Sequence, residues 1–186
     1  MSRQYRHVGP DQIRTRVTGH PPGTAVGGAA DVRRWIQKTG QSAAPGGLLA
    51  VTFVIDLSER LLIADRHSEH VACAAGCDVR SAGEMFFAID GPDVSVDQVS
   101  NQSTGYCPEP ESWEVVERVL DRIGLNHPGC FTTVCIFRRC THCGQRTSSR
   151  TAGSVARYVA RNWTDSGTSS DVTNRNGWIS CVPDSG

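Results

Sequence analysis

No run of apolar residues in this chain approaches the eighteen or more that a membrane-spanning helix needs. The opening stretch, MSRQYRHVGPDQIRTRV, also lacks the apolar core of a secretory signal, so a cytoplasmic protein is expected. In that setting the eight cysteines read as thiols or metal ligands rather than as a disulfide scaffold. Neither sign of charge is in excess, with 19 basic and 19 acidic residues. A global electrostatic pull toward nucleic acid or membrane is therefore missing, and neither is expected as a partner. There is no internal repeat. What remains, 186 residues of which 38% are apolar, is enough for one globular core with modest extensions.

The first 47 residues, rich in Gly, Pro and Arg around HPPGTAVGGAAD, read as a loosely packed lead-in with one short helix at DVRRWIQ. Asp31 is its expected N-cap, Val32, Trp35 and Ile36 share one face, and Gly40 is its expected stop. SAAPGG is a linker signal. Residues 48–139 then form the body. LLAVTFVID and RLLIADR predict a β-hairpin across LSE, and GEMFFAI and VSVDQVS predict two more strands across DGPD. SWEVVERVLDRIG is the clearest helix: Ser112 is the expected cap, Val115, Val116, Val119, Leu120 and Ile123 form an apolar stripe, and Gly124 ends it. Trp35 and Trp113, both on predicted helices, are assigned to packing. CFTTVCIFRRC predicts a further strand, with Cys130 and Cys135 on its opposite faces. The expected class is α+β, an antiparallel sheet with one main packed helix, a short N-terminal helix and a C-terminal zinc knuckle.

That knuckle, residues 140–146, begins Cys140-Thr141-His142-Cys143-Gly144. Its spacing aims two thiolates at one metal, and structural zinc takes four ligands. The other two are not at hand. His142 lies inside the turn, and His127, Cys130, Cys135 and the distant Cys181 are poor substitutes by position. From Thr147 to Gly186 the pattern disappears: no Leu, no Phe, abundant Ser and Thr, and so an expectation of disorder. A slipped reading frame near codon 147 accounts for the change. Under codon degeneracy the one-base-shifted tail can read CGQRNIVKDGWFGCALCGAEL, which restores a second C-x-x-C at positions 156 and 159, with twelve residues between the pairs. Two such pairs bridged by a hairpin make a four-thiolate zinc ribbon. Zinc is thus the expected cofactor, at a site left incomplete in the chain as given.

With the knuckle and the stretch SNQSTGYCPEP in view, residues 48–146 resemble a group of small uncharacterised bacterial proteins that have a sheet-and-helix body and a C-terminal zinc ribbon. That resemblance implies an architecture and a metal site, and it carries no reaction. The tail departs from the group's pattern.

Within the body, DRHSEHVACAAGC gathers Asp65, His67, Glu69, His70, Cys73 and Cys77 just past a strand, types that bind metal or move protons. The same types also occur at polar strand ends as exposed or hydrogen-bonded side chains. The order hairpin, His67-Ser68-Glu69, strand, then GYCPEPESW opening a helix is similar to that of zinc-dependent nucleobase deaminases, which implies His67 and Cys107 as ligands and Glu69 as proton shuttle. Pro110 stands where that family's second cysteine belongs, and Cys107-Pro108 reverses its Pro-Cys order. Asn101, Gln102, Ser103, Thr104 and Tyr106 offer donors and acceptors at a helix entrance, for a small ligand, for a protein partner, or only for the backbone of their own loop. The leading expectation is a non-catalytic zinc-ribbon adaptor with ligands Cys140 and Cys143. An enzyme of deaminase-like fold, using His67, Glu69 and Cys107, is the alternative.

Overall fold

The computed structural model describes residues 3–43, 47–139 and 146–152, the last seven and Arg139 by backbone alone. The described residues form an α+β domain built on one seven-stranded sheet. In chain order the elements are α1 (Asp11–Val17), β1 (Thr24–Val26), α2 (Ala29–Thr39), β2 (Leu48–Asp56), β3 (Leu61–Asp65), α3 (His70–Cys73), β4 (Val79–Asp90), β5 (Asp93–Ser100), α4 (Trp113–Arg122), β6 (Thr133–Arg139) and β7 (Arg146–Ala152). The strands lie in the order β1-β3-β2-β4-β5-β6-β7. All neighbours pair antiparallel except β5 and β6, which run parallel through the single register pair Ser100↔Thr133. A parallel pair needs a crossover, and α4 supplies it.

The four strands expected from sequence form the middle of this sheet. The β2–β3 turn has no Asn-Gly, yet it closes because the Asp56 carboxylate accepts from the backbone N–H groups of Ser58 and Arg60 and from the Arg60 guanidinium. On one face of the sheet α2 and α4 bury Val32, Trp35, Val115, Val116, Val119 and Leu120 against Val51, Phe53, Ile55, Met85 and Phe87. Each fully buried aliphatic there contributes about 1.5–3 kcal/mol. The other face carries a second, smaller core in which Tyr5, Val71, Cys73 and Tyr106 meet Val54, Leu62 and Val79.

That second core reorders the lead-in. Residues read from sequence as loose hold α1, β1 and a β-bridge from Tyr5 to Val79. Tyr5 and Val26 are buried there, giving the segment apolar surface that no periodicity in it announces.

Both helix caps also differ from expectation. α2 starts at Ala29, so Asp31 sits inside the first turn and its carboxylate reaches back to the Gly27 N–H at 2.8 Å. Ser112 makes no capping bond, because a short 3-10 turn (Pro110–Ser112) precedes α4 and the Ser112 hydroxyl lies 3.0 Å from that of Ser81. Gly40 and Gly124 end their helices at positive φ as expected.

Past Arg146, where the sequence pattern stops, β7 continues to Ala152 as the outer strand of a hairpin with β6. Residues 147–152, the start of the stretch expected to be disordered, thus lie in β7. Residues 153–186 lie outside those described. Cys135 lies on β6 but Cys130 precedes it, which corrects the expectation that one strand carries both.

Candidate functional site

The most specific stretch of the sequence, residues 100–110, leaves the sheet at the end of β5. Gly83 on β4 makes its path possible. A Cβ at that position would lie 1.8 Å from the Ser100 carbonyl oxygen, so only glycine lets the end of β5 run this close across β4. The loop then crosses toward α4 over the smaller core.

Most of its polar side chains turn inward. Asn101 is fully buried. Its Oδ1 accepts from the Cys135 N–H at 2.7 Å, and its Nδ2 donates to the carbonyls of Cys135 and Pro108, both at 2.8 Å. Ser103 Oγ accepts from the backbone N–H groups of Gly105 and Tyr106. Tyr106 is 1% exposed and donates its hydroxyl to the Cys77 carbonyl at 2.5 Å; burial pushes its phenol well above the ordinary range. Gln102 and Cys107 stay half-exposed and Thr104 exposed. Of the two uses the sequence allowed these residues, satisfying the loop's own backbone accounts for Asn101, Ser103 and Tyr106.

The histidine-rich turn meets this loop from α3. Thr104 donates its hydroxyl to Glu69 Oε2 at 2.6 Å. His70 is buried, with Nε2 3.0 Å from the Gly83 carbonyl and Nδ1 3.4 Å from the Thr104 N–H. A carbonyl only accepts, so the proton is on Nε2 and Nδ1 accepts. Burial pushes this imidazole down to about 4, so it is neutral at pH 7.

His67 is exposed, and its backbone N–H donates to Asp65 Oδ1 at 2.8 Å. That bond, with Gln41 beside it, holds the Asp65 carboxyl below its usual range. Cys73 is buried and its thiol is pushed up to about 12, which removes it as a nucleophile at neutral pH.

A strap of N-terminal residues closes over the loop. The Val8 N–H donates to the Gly105 carbonyl at 2.9 Å, the His7 ring stands edge-on to Tyr106 at 6.0 Å, and Arg3 pairs with Glu109. No sequence signal marks this strap, because its contacts span about a hundred positions of chain. Between strap and α4 lies a cleft of about 430 Å³ in which Arg3 and Arg80 face Glu109, Glu111 and Glu114. Behind it, Trp113 packs edge-to-face with Phe131 at 5.2 Å and His127 at 5.5 Å, the packing role expected of it.

For the deaminase comparison, two strands, β4 and β5, stand between α3 and α4, where that order has one. Glu69 reaches the loop through Thr104. Among the described residues, though, no group of three or more His, Cys, Asp or Glu side chains is placed to hold a metal ion, and His67, Glu69 and Cys107 form no such group.

Cys140 and Cys143 lie outside the described residues. The backbone on either side is described: β6 and β7 pair through to Arg139↔Arg146, so the six residues 140–145 connect two antiparallel strands. Two thiolates fit half of a tetrahedral zinc site. Of the nearby cysteines that are described, Cys135 is buried, with its backbone N–H held by Asn101, and the Cys130 thiol lies 4.0 Å from the Pro128 carbonyl.

Among the described residues, no helix is long and apolar enough to cross a membrane. No protein-family model, curated protein or solved structure matches this chain.

Proposed function

We propose that the chain is a non-catalytic binding protein, an adaptor whose body anchors a C-terminal zinc-ribbon hairpin. The observation that carries this reading is the register Arg139↔Arg146, which leaves Cys140 and Cys143 in the short connection of an antiparallel hairpin, the setting a ribbon's first knuckle requires. A second support is the inward use of the polar groups in the body. His70 is neutral and committed to Gly83 and Thr104, and Glu69 is committed to Thr104. That leaves Gln102, Thr104 and Cys107 as the loop's outward surface. Zinc, when bound by four thiolates, staples the two ends of a ribbon. This chain contributes Cys140 and Cys143 as half of that set, and the shifted frame contributes the other half at positions 156 and 159.

The test is metal content per chain for the protein as given and for a version with the frame restored after codon 146. The restored chain is expected to hold one zinc, lost on Cys140→Ser and retained on His67→Ala, while the chain as given holds well under one. Zinc that depends on His67 and Cys107 instead would support the deaminase-like enzyme and remove the adaptor reading.

A further inference from the structure

β5 stops pairing with β4 at Ser100, opposite Glu84, so β4 runs from Gly83 back to Val79 without that neighbour. The N-terminal strap takes its place. The Tyr5 N–H donates to the Val79 carbonyl at 2.7 Å, and the Tyr5 carbonyl accepts from the Val79 N–H at 3.0 Å. On its other side Val79 stands opposite Asp56 of β2, so this end of β4 is covered on both edges only while the strap is down.

The remaining ties of the strap are slight. Arg3 pairs with Glu109 and Arg6 with Asp78 at 3.6 Å, both through exposed guanidiniums, and ion pairs of that kind add little. Val8 adds its hydrogen bond to the Gly105 carbonyl. A segment held this lightly can leave the body without unfolding it.

His7 sits in the middle of the strap, in a seat made by two glycines. A Cβ on Gly9 or on Gly105 would come within 2.9 Å of its ring, whose edge meets Tyr106. Nδ1 is buried and, among the described residues, has no hydrogen-bond partner. An imidazolium carries an N–H on both ring nitrogens, and this seat offers the one on Nδ1 no acceptor.

The charged groups around the ring are Asp11 and Arg14 on α1 and Glu69 ahead of α3. Arg14 and Arg6 share Asp78, Glu69 accepts from Thr104, the Tyr106 hydroxyl is given to the Cys77 carbonyl, and His70 lies neutral beneath Thr104. Burial first, then Arg14, disfavour a proton on His7 and outweigh Asp11 and Glu69.

We propose that residues 3–8 are a proton-released strap: protonation of His7 unseats its ring and lifts the segment, uncovering the edge of β4 and the adjoining cleft. Lifting leaves the Val79 N–H and carbonyl unpaired and takes Arg3 and Tyr5 out of the cleft wall. The lifted form binds the proton more readily than the seated form. The strap is therefore fully seated above the ordinary histidine value of 6.5 and is released as pH falls below it. This device is separate from the zinc reading and does not depend on it.

The test is amide hydrogen exchange of the full chain at about pH 7 and about pH 5.5, each rate corrected for the intrinsic rate at that pH, with the His7 ring followed by NMR in the same samples. Protection of the Tyr5, Val8 and Val79 amides is expected to fall by up to about tenfold, in step with the His7 titration, while Phe53 and Val54 in the body keep theirs. His7→Phe keeps an aromatic edge against Tyr106 but takes up no proton, and it should abolish the loss. His70→Gln should leave the loss in place, which separates the strap from the buried imidazole of the body. Gly105→Ala crowds the ring out of its seat and should leave those three amides unprotected at both pH values. Protection at the three amides that is the same at both pH values in the parent overturns the proposal. So does a loss that persists in His7→Phe, or one that Phe53 and Val54 share in full.

Discussion

The side-chain amide of Asn101 pairs with the peptide group of Cys135 as a neighbouring strand would, accepting from its N–H at 2.7 Å and donating to its carbonyl at 2.8 Å. β5 and β6 have one register pair of their own, Ser100↔Thr133. Asn101 extends that junction by one residue, and the Thr132 hydroxyl, which bonds both the N–H and the carbonyl of Val99, extends it on the other side. Two side chains thus join the ribbon to the body.

Asn101→Ala should therefore destabilise the whole domain. It strands a buried N–H and two buried carbonyls, at about 1–3 kcal/mol each, so a loss of at least about 3 kcal/mol is expected. For a chain of this size that lowers Tm by roughly ten degrees, and thermal unfolding followed by circular dichroism measures it. Asn101→Asp keeps the shape but has no donor for Pro108 and Cys135, and it should fail similarly. A drop of only a degree or two in both variants would mean that the junction does not depend on this amide.

His70 makes stability fall with acidity. Its imidazole is pushed down to about 4 by burial, from an ordinary 6.5. Between those values the unfolded chain binds a proton that the folded chain does not, so stability is full above about 6.5 and declines as pH falls toward 4, by on the order of 3 kcal/mol. His7, also lowered by burial and by Arg14, acts in the same direction. Urea midpoints measured from about pH 7 to about pH 4.5 should decrease steeply in the parent and much less in His70→Gln. Equal slopes would remove His70 as the cause.

The register of β7 gives the frame argument a physical test. Ser148 stands opposite Phe137 and Ser149 opposite Ile136, while the shifted reading can place Ile and Val at those two positions. Aromatic and β-branched cross-strand pairs contribute about 0.2–1 kcal/mol each. Ser148→Ile with Ser149→Val should then raise Tm by about 2–4 °C, checked by differential scanning fluorimetry. An unchanged or lower Tm would show that this edge strand is suited to its serines.

The elements that sequence determined are those whose signal is local. Alternating and continuous apolar runs marked β2 to β5, the stripe Val115, Val116, Val119 and Leu120 marked α4, and the glycines at 40 and 124 marked two helix ends. In each case the residues that carry the pattern lie within one turn or one strand, where periodicity and backbone preference act directly. Ser112 occupies the cap of α4 without a capping bond because it closes a 3-10 turn and its hydroxyl meets Ser81, and α2 starts ahead of Asp31 because Gly28 occupies its cap.

Tertiary structure decided whatever depends on distant partners. That the loop 100–110 spends Asn101, Ser103 and Tyr106 on backbone groups follows from Cys135, Pro108 and Cys77 being brought beside it, and no spacing in the loop announces those contacts. That His70 rather than His67 is the buried imidazole follows from the Gly83 carbonyl and Thr104, which the fold brings beside it. Composition fixes how much charge and apolar surface a chain has. Only folding decides which of these groups are neighbours, because hydrogen bonds and Coulomb forces act over ångströms in space and not over positions in sequence.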